Sequence, residues 1–399
     1  MTEHLQRVKA LGADCIWLCP FFESPWVDGG YDVADYLTVD SRFGTLEDFK
    51  EFVCRAHELG FGVLLDLVLN HTSTEHEWFK RSVAGDGRYE DFYCWIDEDL
   101  GWGNFFDGGS AFEYCPERGQ YYLHLFNKKQ ADLNWDNPRV LEEFQKIIDY
   151  WARLGADGFR LDSVLFLSKD LKRTRLPRKS LGAFAGMSHY YMRKKTLDVL
   201  RDLFAKRALF TVGEVGMPFR FLARKLAGRK GPLTAMLNIM VQESIDKRAM
   251  FLEAPTSIKR LRRNLRKWSR LPFYVAAIES HDAPRMTSRT GRDGVELIEM
   301  LFDCNPQYAC IYQGQELGLK NPILSDDIAD YSDAMFIMKY NKLLQQGMSS
   351  ADAVALLKPG ARENARAPLD LDEYARQEAD PGSCLNATKT AIQAWKARK

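Results

Sequence analysis

The chain has 399 residues, of which 46% are apolar and 12% aromatic, and its 55 Lys and Arg are balanced by 55 Asp and Glu. This length suits one large α/β barrel with an insertion, and the zero net charge argues against electrostatic capture of nucleic acid or an anionic membrane. No apolar run reaches the roughly 20 residues of a membrane-spanning helix, no signal peptide is visible, and eight scattered cysteines without a Cys-x-x-Cys pair predict reduced thiols in a cytoplasmic protein.

A recurring pattern runs through the first half of the chain: a helical segment stops at glycine, and a short apolar run follows. The pattern occurs at Gly12 before 15–18, at Gly60 before 63–68, and at Gly155 before 158–162. Glycine is a common residue at the left-handed position that ends a helix. Asn137 and Pro138 predict the start of the third helix. Alternating helices and buried strands are typical of a parallel sheet or barrel.

Apolar runs at 209–213, 235–239, 273–278 and 309–312 predict four more strands, which makes seven. A closed TIM-type (β/α)8 barrel has eight, so we expect an α/β barrel whose first strand is missing, because the chain opens inside what looks like the first helix. The basic stretch 173–179 is expected to be a solvated loop. The run 385–399 is expected to be a final amphipathic helix.

Helical periodicity stops between His71 and Lys129, where aromatic residues and glycines dominate. We therefore predict a B domain inserted after the third barrel strand, with short strands such as 121–125. The predicted division is 1–71 for the first part of the barrel, 72–129 for the insertion and 130–399 for the rest. A long insertion at the catalytic end of a barrel usually carries function.

Acidic residues stand at the ends of four predicted strands: Asp66, Asp162, Glu214 and Asp282. Strand ends converge on one mouth in a barrel, and two carboxylates flanking a bond are the minimum for glycoside cleavage. Arg160 lies two residues before Asp162, hence on the same strand face, and would keep that carboxylate ionised as a nucleophile requires. Glu214, partly desolvated among like charges, is expected to hold a proton.

Two histidines accompany these acids, since His71 follows Asp66 by five residues and His281 directly precedes Asp282. Both are expected in loops at strand ends, where a neutral imidazole can hydrogen-bond sugar hydroxyls. A metal site is the alternative, but neither a His-x-x-x-His pair nor a second carboxylate lies at ligand spacing. We therefore expect no metal and no cofactor.

The same segments resemble the α-amylase superfamily of glycoside hydrolases, and within it the oligo-1,6-glucosidase and α-glucosidase branch. The resemblance runs from Ile16 to Arg366. It rests on DLVLNH at 66–71, QADLN at 130–134, GFRLD at 158–162, GEV at 213–215 and HD at 281–282. The resemblance implies a retaining mechanism in which Asp162 is the nucleophile, Glu214 the general acid/base and Asp282 the transition-state stabiliser.

The resemblance also implies a glucose pocket, closed at the non-reducing end and therefore suited to exo release of glucose. Its residues would be Asp28, Tyr31, His71, Phe126, Gln130, Arg160, His281 and Arg366. The calcium-binding loop that follows the first strand in this branch is missing, which agrees with the expectation of no metal. The C-terminal β-sandwich that is usual in the family is also expected to be absent.

Three functional hypotheses follow. The first is an α-glucosidase acting on α-1,6 or α-1,4 bonds of short gluco-oligosaccharides, with a small sugar as its only partner. The second is a transglucosidase or sucrose isomerase that uses the same residues. The linkage preference stays open, because Ser163, directly after Asp162, matches neither the Val that the branch associates with α-1,6 bonds nor the Thr that it associates with α-1,4 bonds. The third is a truncated, non-catalytic protein that binds sugar or a partner, which the missing strand favours and the three carboxyl groups oppose. The oligomeric state stays open.

Overall fold

The computed structural model describes residues 2–172, 182–205, 207–243 and 257–399, and the stretch 173–179 lies outside them. Its strands are β1 Cys15–Leu18, β2 Phe22–Glu23, β3 Asp35–Val39, β4 Gly62–Val68, β5 His71–Ser73, β6 Trp95–Ile96, β7 Phe112–Cys115, β8 Gln120–Leu123, β9 Gln130–Asp132, β10 Gly158–Asp162, β11 Phe210–Val215, β12 Ala235–Asn238, β13 Tyr274–Ala276 and β14 Tyr308–Ala309.

Its α-helices are α1 Leu5–Leu11, α2 Leu46–Glu58, α3 Glu77–Val83, α4 Pro138–Arg153, α5 Lys194–Phe204, α6 Arg220–Leu226, α7 Ile239–Glu243, α8 Ile258–Trp268, α9 Met286–Thr290, α10 Gly294–Asp303, α11 Ala334–Gln345, α12 Ser350–Leu357, α13 Glu363–Arg366, α14 Leu371–Ala379 and α15 Cys384–Ala397. Within the described chain, no helix is both long and apolar enough to cross a bilayer.

Seven strands form one parallel sheet in the order β1-β4-β10-β11-β12-β13-β14. They correspond to the seven predicted strands, with ends shifted by up to three residues. Alternate residues divide between two hydrophobic clusters, so that Leu64 lies in the inner cluster and Leu65 in the outer one. The sheet fits a TIM-type fold. The absence of a first strand stays a prediction.

The predicted helix ends follow from local chemistry. Gly12, Gly60 and Gly155 have φ of 97°, 77° and 100°, values that cost glycine little and other residues more. The Asn137 side chain accepts from the backbone N–H of Arg139 and caps α4, a contribution of about 1 kcal/mol. The buried face of α4 includes Phe144, Ile148 and Trp151, so this helix is held mainly by packing on the sheet side.

The segment 72–129 contains α3 and a three-stranded antiparallel sheet in the order β6-β8-β7. Buried residues including Trp102, Phe112 and Leu123 form a separate small cluster there. The helix α3 lies within the stretch where the sequence shows no helical periodicity: at seven residues it is too short to show one, and the His76 side chain caps it. Strand β5 pairs with β9, which brings the two ends of the segment together. Its status as a domain stays a prediction.

The last part of the chain is helical. Residues 310–399, all of them described, contain no strand. The predicted final helix corresponds to α15, whose Ser383 side chain accepts from the N–H of Asn386. Before it, the short helix α13 lies against the mouth of the sheet, because Arg366 at its end donates to the carbonyl of His281. This segment therefore contributes to the site described next.

Candidate active site

The centre of the site is the buried side chain of Arg160, which is 2% exposed. Its Nη1 lies 2.7 Å from Asp66 and 2.9 Å from Asp162, and its Nη2 lies 2.8 Å from Glu214. The register explains this, since Arg160 is paired directly with Asp66 on β4 and with Val212, two residues before Glu214, on β11. Three carboxyl groups from three neighbouring strands thus meet on one guanidinium.

The electrostatics of this cluster distinguish its acids. Burial, with repulsion from Asp162 and Asp282, raises the pKa of Glu214 well above its usual value despite the opposing charge of Arg160. Burial also raises the pKa of Asp66 to about 6. Three buried carboxylates around one cation cannot all stay ionised at low cost. The raised pKa of Glu214 favours the protonated form of this acid.

Ser163 follows Asp162 in a left-handed conformation with φ 47°. Its backbone N–H points to Glu214 Oε2 at 3.3 Å. A residue other than glycine in this region of backbone space costs free energy and is typically found where a site requires it. The turn ends β10 directly after the Asp162 carboxylate, which stays at the strand end.

Asp282 lies in the loop after β13, and its side chain is 32% exposed. Its Oδ1 is 3.2 Å from Arg362 Nη1 and 3.5 Å from Arg366 Nη2. Burial alone would raise the pKa of Asp282, but the neighbouring positive charges, chiefly the two arginines when His281 is neutral, outweigh it and hold the pKa below its usual range. Asp282 is consequently the permanently charged acid at the open side of the site.

His281 connects Asp282 to the central cluster. Its Nε2 lies 2.8 Å from the Tyr31 hydroxyl and 3.2 Å from Asp282 Oδ2, and its ring stacks on the Tyr31 ring at 5.3 Å. The Tyr31 hydroxyl donates to Asp66 Oδ2 at 2.9 Å. Burial lowers the pKa of His281 to about 4, so the imidazole is neutral at neutral pH, as the sequence led us to expect.

The remaining predicted residues are linked to one another and to Tyr31. Gln130 Nε2 donates to Asp28 Oδ2 at 3.0 Å and lies 3.1 Å from His71 Nε2. The His71 Nε2 is also 3.1 Å from the carbonyl of Tyr31, and the Phe126 ring lies 5.1 Å from the His71 ring. All eleven predicted site residues are thus joined in one connected group of contacts.

A buried lysine holds the loop behind His71. Lys169 Nζ lies 3.0 Å from Asp132 Oδ2 and 2.8 Å from Asn70 Oδ1. Asn70 Nδ2 in turn lies 3.3 Å from His71 Nδ1, so Nδ1 accepts and Nε2 carries the proton. Lys169 compensates the charge of Asp132, which is buried. Across the described residues, no group of three or more His, Cys, Asp or Glu is arranged to hold a metal ion.

The structure adds Arg362, which the sequence did not single out. This buried side chain makes ion pairs with Asp28, Asp282 and Asp333. It therefore links Asp28 to Asp282 through one guanidinium. The available signal was the four-residue spacing of Arg362 and Arg366, which places both side chains on one face of a helical turn. Trp17 was also missed, and its indole N–H donates to Asp66 at 3.2 Å.

Comparison with known proteins identifies the family to which this chain belongs. A family model described as the catalytic domain of α-amylase matches residues 1–378. The chain belongs to the α-amylase family. It is 35% identical to the trehalose-6-phosphate hydrolase of Escherichia coli (strain K12) over 390 residues, covering 92% of this chain and 70% of that protein. It is 32% identical to the oligo-1,6-glucosidase of Bacillus cereus over 392 residues, with the same coverage.

Solved structures of this family show the same architecture. The trehalose-6-phosphate hydrolase of Bacillus licheniformis superposes with a TM-score of 0.87 at 30% identity, covering 99% of this chain and 78% of that one. The trehalulose synthase MutB of Pseudomonas mesoacidophila MX-45 gives a TM-score of 0.87 at 27% identity, with the same coverage. As a member of the α-amylase family with oligo-1,6-glucosidase relatives, the chain is a glycoside hydrolase.

Replacing Arg362 by Gln tests its place in the site. Asp28 and Asp282 would lose a buried ionic partner and shift, so we expect kcat/KM for p-nitrophenyl α-glucoside to fall about a hundredfold, mainly through KM. Arg376→Gln is the matched control, because Arg376 pairs only with Asp370 and Glu373 among the described residues, away from the site, and should leave both constants unchanged. Values within twofold of the parent for Arg362→Gln would contradict the assignment.

Proposed function

We propose that this glycoside hydrolase is a retaining, exo-acting α-glucosidase that cleaves α-1,6 or α-1,4 bonds of short gluco-oligosaccharides. The observation that carries the proposal is the sharing of Arg160 by Asp162 and Glu214, at 2.9 and 2.8 Å. Retaining enzymes hold their two carboxyl groups about 5 to 5.5 Å apart, closer than inverting enzymes, which leave room for a water. Two carboxyl groups bound by one guanidinium support the closer arrangement.

The proposed roles follow from the charges. The carboxylate of Asp162, 2.9 Å from Arg160 Nη1, attacks the anomeric carbon to form a glucosyl ester. Protonated Glu214 gives its proton to the departing oxygen and then, as a carboxylate, takes a proton from the water that cleaves the ester. Asp282 stays ionised beside Arg362 and stabilises the positive charge that develops on the sugar ring.

The exo mode is supported by the distribution of buried and exposed side chains around the site. Asp28, Tyr31, His71 and Gln130 are all buried and belong to one connected group, whereas the Asp282 side chain is 32% exposed. We propose that one sugar unit fits against the buried group and that the rest of the substrate leaves on the exposed side. Phe126 of the segment 72–129 packs on His71, and we propose that this segment is an inserted domain that completes the pocket.

Glucosyl transfer is the second candidate, supported by the likeness to the trehalulose synthase MutB. The two activities share the covalent intermediate and differ in the acceptor, which is water or a sugar. Products formed from sucrose, maltose, isomaltose and trehalose 6-phosphate separate them: free glucose supports hydrolysis, and a new disaccharide supports transfer. A chain that melts cooperatively and binds glucose but turns over none of the four would instead be the non-catalytic protein.

Stereochemistry gives a direct check of the mechanism. Two successive displacements at the anomeric carbon restore the original configuration, so the first glucose released from p-nitrophenyl α-glucoside should be the α-anomer. Proton NMR in the first minutes, before mutarotation, measures this. Initial β-glucose would rule out the retaining mechanism.

The role of Glu214 predicts a dependence on pH and on the leaving group. Because its pKa is raised, the proton donor is present below that pKa, and activity falls as the pH rises through it. Glu214→Gln should lower kcat/KM for maltose about a thousandfold and remove this alkaline decline. The same variant should lose much less on 2,4-dinitrophenyl α-glucoside, whose leaving group departs unprotonated. Equal losses on both substrates would assign the proton to another group.

A further inference from the structure

The zero net charge of the chain conceals a strong separation of charge. Residues 220–272 contain fourteen Lys and Arg but three Asp and Glu, a net charge of +11, and the other 346 residues therefore carry −11. The described segments 220–230 and 257–272 hold twelve of these cations and no acid. A solvated surface normally mixes both signs. We call the outer side of these two segments the cationic face.

The two segments are neighbours in the fold. Helix α6 connects β11 to β12, and α8 lies between β12 and β13, so both are on the same side of consecutive parallel strands. The chain after α6 also lies close to residue Phe273 after α8, since a methyl group added to Gly228 would lie 2.5 Å from the Phe273 ring. The cations of both helices thus lie on the same side of the sheet.

The helix faces show that the charge points outward. Leu261, Leu265 and Trp268 are the buried residues of α8, and Ala223 and Leu226 those of α6. The opposite sides are cationic and exposed: Arg224, Lys225, Arg229 and Lys230 with the first helix, and Lys259, Arg262, Arg263, Arg266, Lys267 and Arg270 with the second. On this face, Arg262 lies 3.6 Å from Glu296.

Most of these cations have no carboxylate partner within the described residues. Arg224, Lys225, Arg263, Arg266 and Lys267 make no ion pair there. Elsewhere on the surface exposed cations are commonly paired, as Lys146 is with Glu143 and Lys194 with Asp198. Repulsion within such a group disfavours the folded state, and an anionic partner would relieve it.

An exposed aromatic pair accompanies the charge. The side chains of Phe219 and Phe221 are 56% and 65% exposed, and their rings stack on each other at 5.7 Å. Phe221 precedes Arg224 and Lys225 by one helical turn and therefore lies on the same face of α6. Apolar rings that protrude together beside cations are typical of surfaces that enter a lipid headgroup region.

We propose that the cationic face docks this enzyme on an anionic phospholipid surface. The arginines and lysines of α6 and α8 bind headgroup phosphates, and Phe219 with Phe221 enters the interface. The aromatic pair favours lipid over nucleic acid, because stacking between nucleobases needs free ring faces and these two rings partly cover each other. The attachment is peripheral and adds to the proposed catalysis without depending on it.

Co-sedimentation of the full chain with vesicles tests the proposal. Binding to vesicles containing about one third phosphatidylglycerol should exceed binding to pure phosphatidylcholine at least about tenfold at low salt, and about 0.5 M salt should remove the difference. The variant R262Q/R263Q/R266Q/K267Q should lose the preference. Phe219→Ser with Phe221→Ser should weaken binding to anionic vesicles about tenfold. Equal binding to both vesicle types would overturn the proposal.

A matched control separates this face from charge in general. The variant R55Q/K146Q/K194Q/R376Q removes the same charge from exposed ion pairs elsewhere and should bind vesicles like the parent. Glucosidase activity should be unchanged in every variant, since none touches the site. The proposal is overturned if the control loses binding equally. It is also overturned if single-stranded DNA, rather than vesicles, is bound and that binding survives loss of the two phenylalanines.

Discussion

Asp162→Asn will abolish glucosidase turnover and leave the fold intact. The amide has the shape of the carboxylate but cannot form the glucosyl ester, so we expect kcat on p-nitrophenyl α-glucoside to fall at least about ten-thousandfold. The fold should persist because Arg160 still binds Asp66 and Glu214 at 2.7 and 2.8 Å. Steady-state kinetics and thermal melting on the same sample measure both effects.

Chemical rescue distinguishes a nucleophile from a residue that only positions others. In Asp162→Gly, azide can enter the vacated space and attack the anomeric carbon from the same side, which should release β-glucosyl azide. Asp198→Asn, which removes an exposed carboxylate paired with Lys194 and Arg201, should behave like the parent enzyme. Turnover of more than about one per cent in Asp162→Asn, or α-glucosyl azide from the rescue, would assign the attack to another group.

The central cluster could be predicted from sequence because it depends on local rules. Strand alternation places Arg160 and Asp162 on one face. Apolar runs after glycine located β4 and β10, and parallel strands deliver their C-terminal residues to one edge. With those positions fixed, Asp66 and Glu214 had to lie near Arg160, and the ion pairs at 2.7 to 2.9 Å follow.

The rest of the site depends on contacts between residues that are far apart in the sequence, and no local rule predicts such contacts. Arg362 is 334 residues from Asp28, and its approach requires the loop before α13 to fold back over the mouth. The same holds for Lys169, which binds Asn70, a residue 99 positions earlier in the sequence. An arginine or lysine in a loop usually remains solvated, so sequence alone gives little reason to place either of them in a buried ion pair.

Arg160→Leu is expected to have the largest effect on stability. It leaves Asp66, Asp162 and Glu214 buried without the cation they share, and removing one partner of a buried ionic cluster costs about 3–5 kcal/mol. Urea unfolding at pH 7.5 should show this loss. Arg207→Leu is the control, because the Arg207–Asp149 pair is partly exposed and should cost less than about 1 kcal/mol.

The loss of unfolding free energy in Arg160→Leu should be smaller at lower pH, and the direction of this change follows from the acids that remain. Burial already raises the pKa of Asp66 to about 6 and that of Glu214 above its usual value, while Arg160 lowers both. Without Arg160 these folded-state pKa values rise further, so the acids protonate readily at pH 5 and need no cation. A group whose pKa is raised by folding stabilises at low pH and loses that stability as the pH rises. The unfolding free energy of the variant should therefore approach that of the parent at pH 5 and separate from it above about pH 6. An equal loss at both pH values would mean that Arg160 acts through packing and not through its charge.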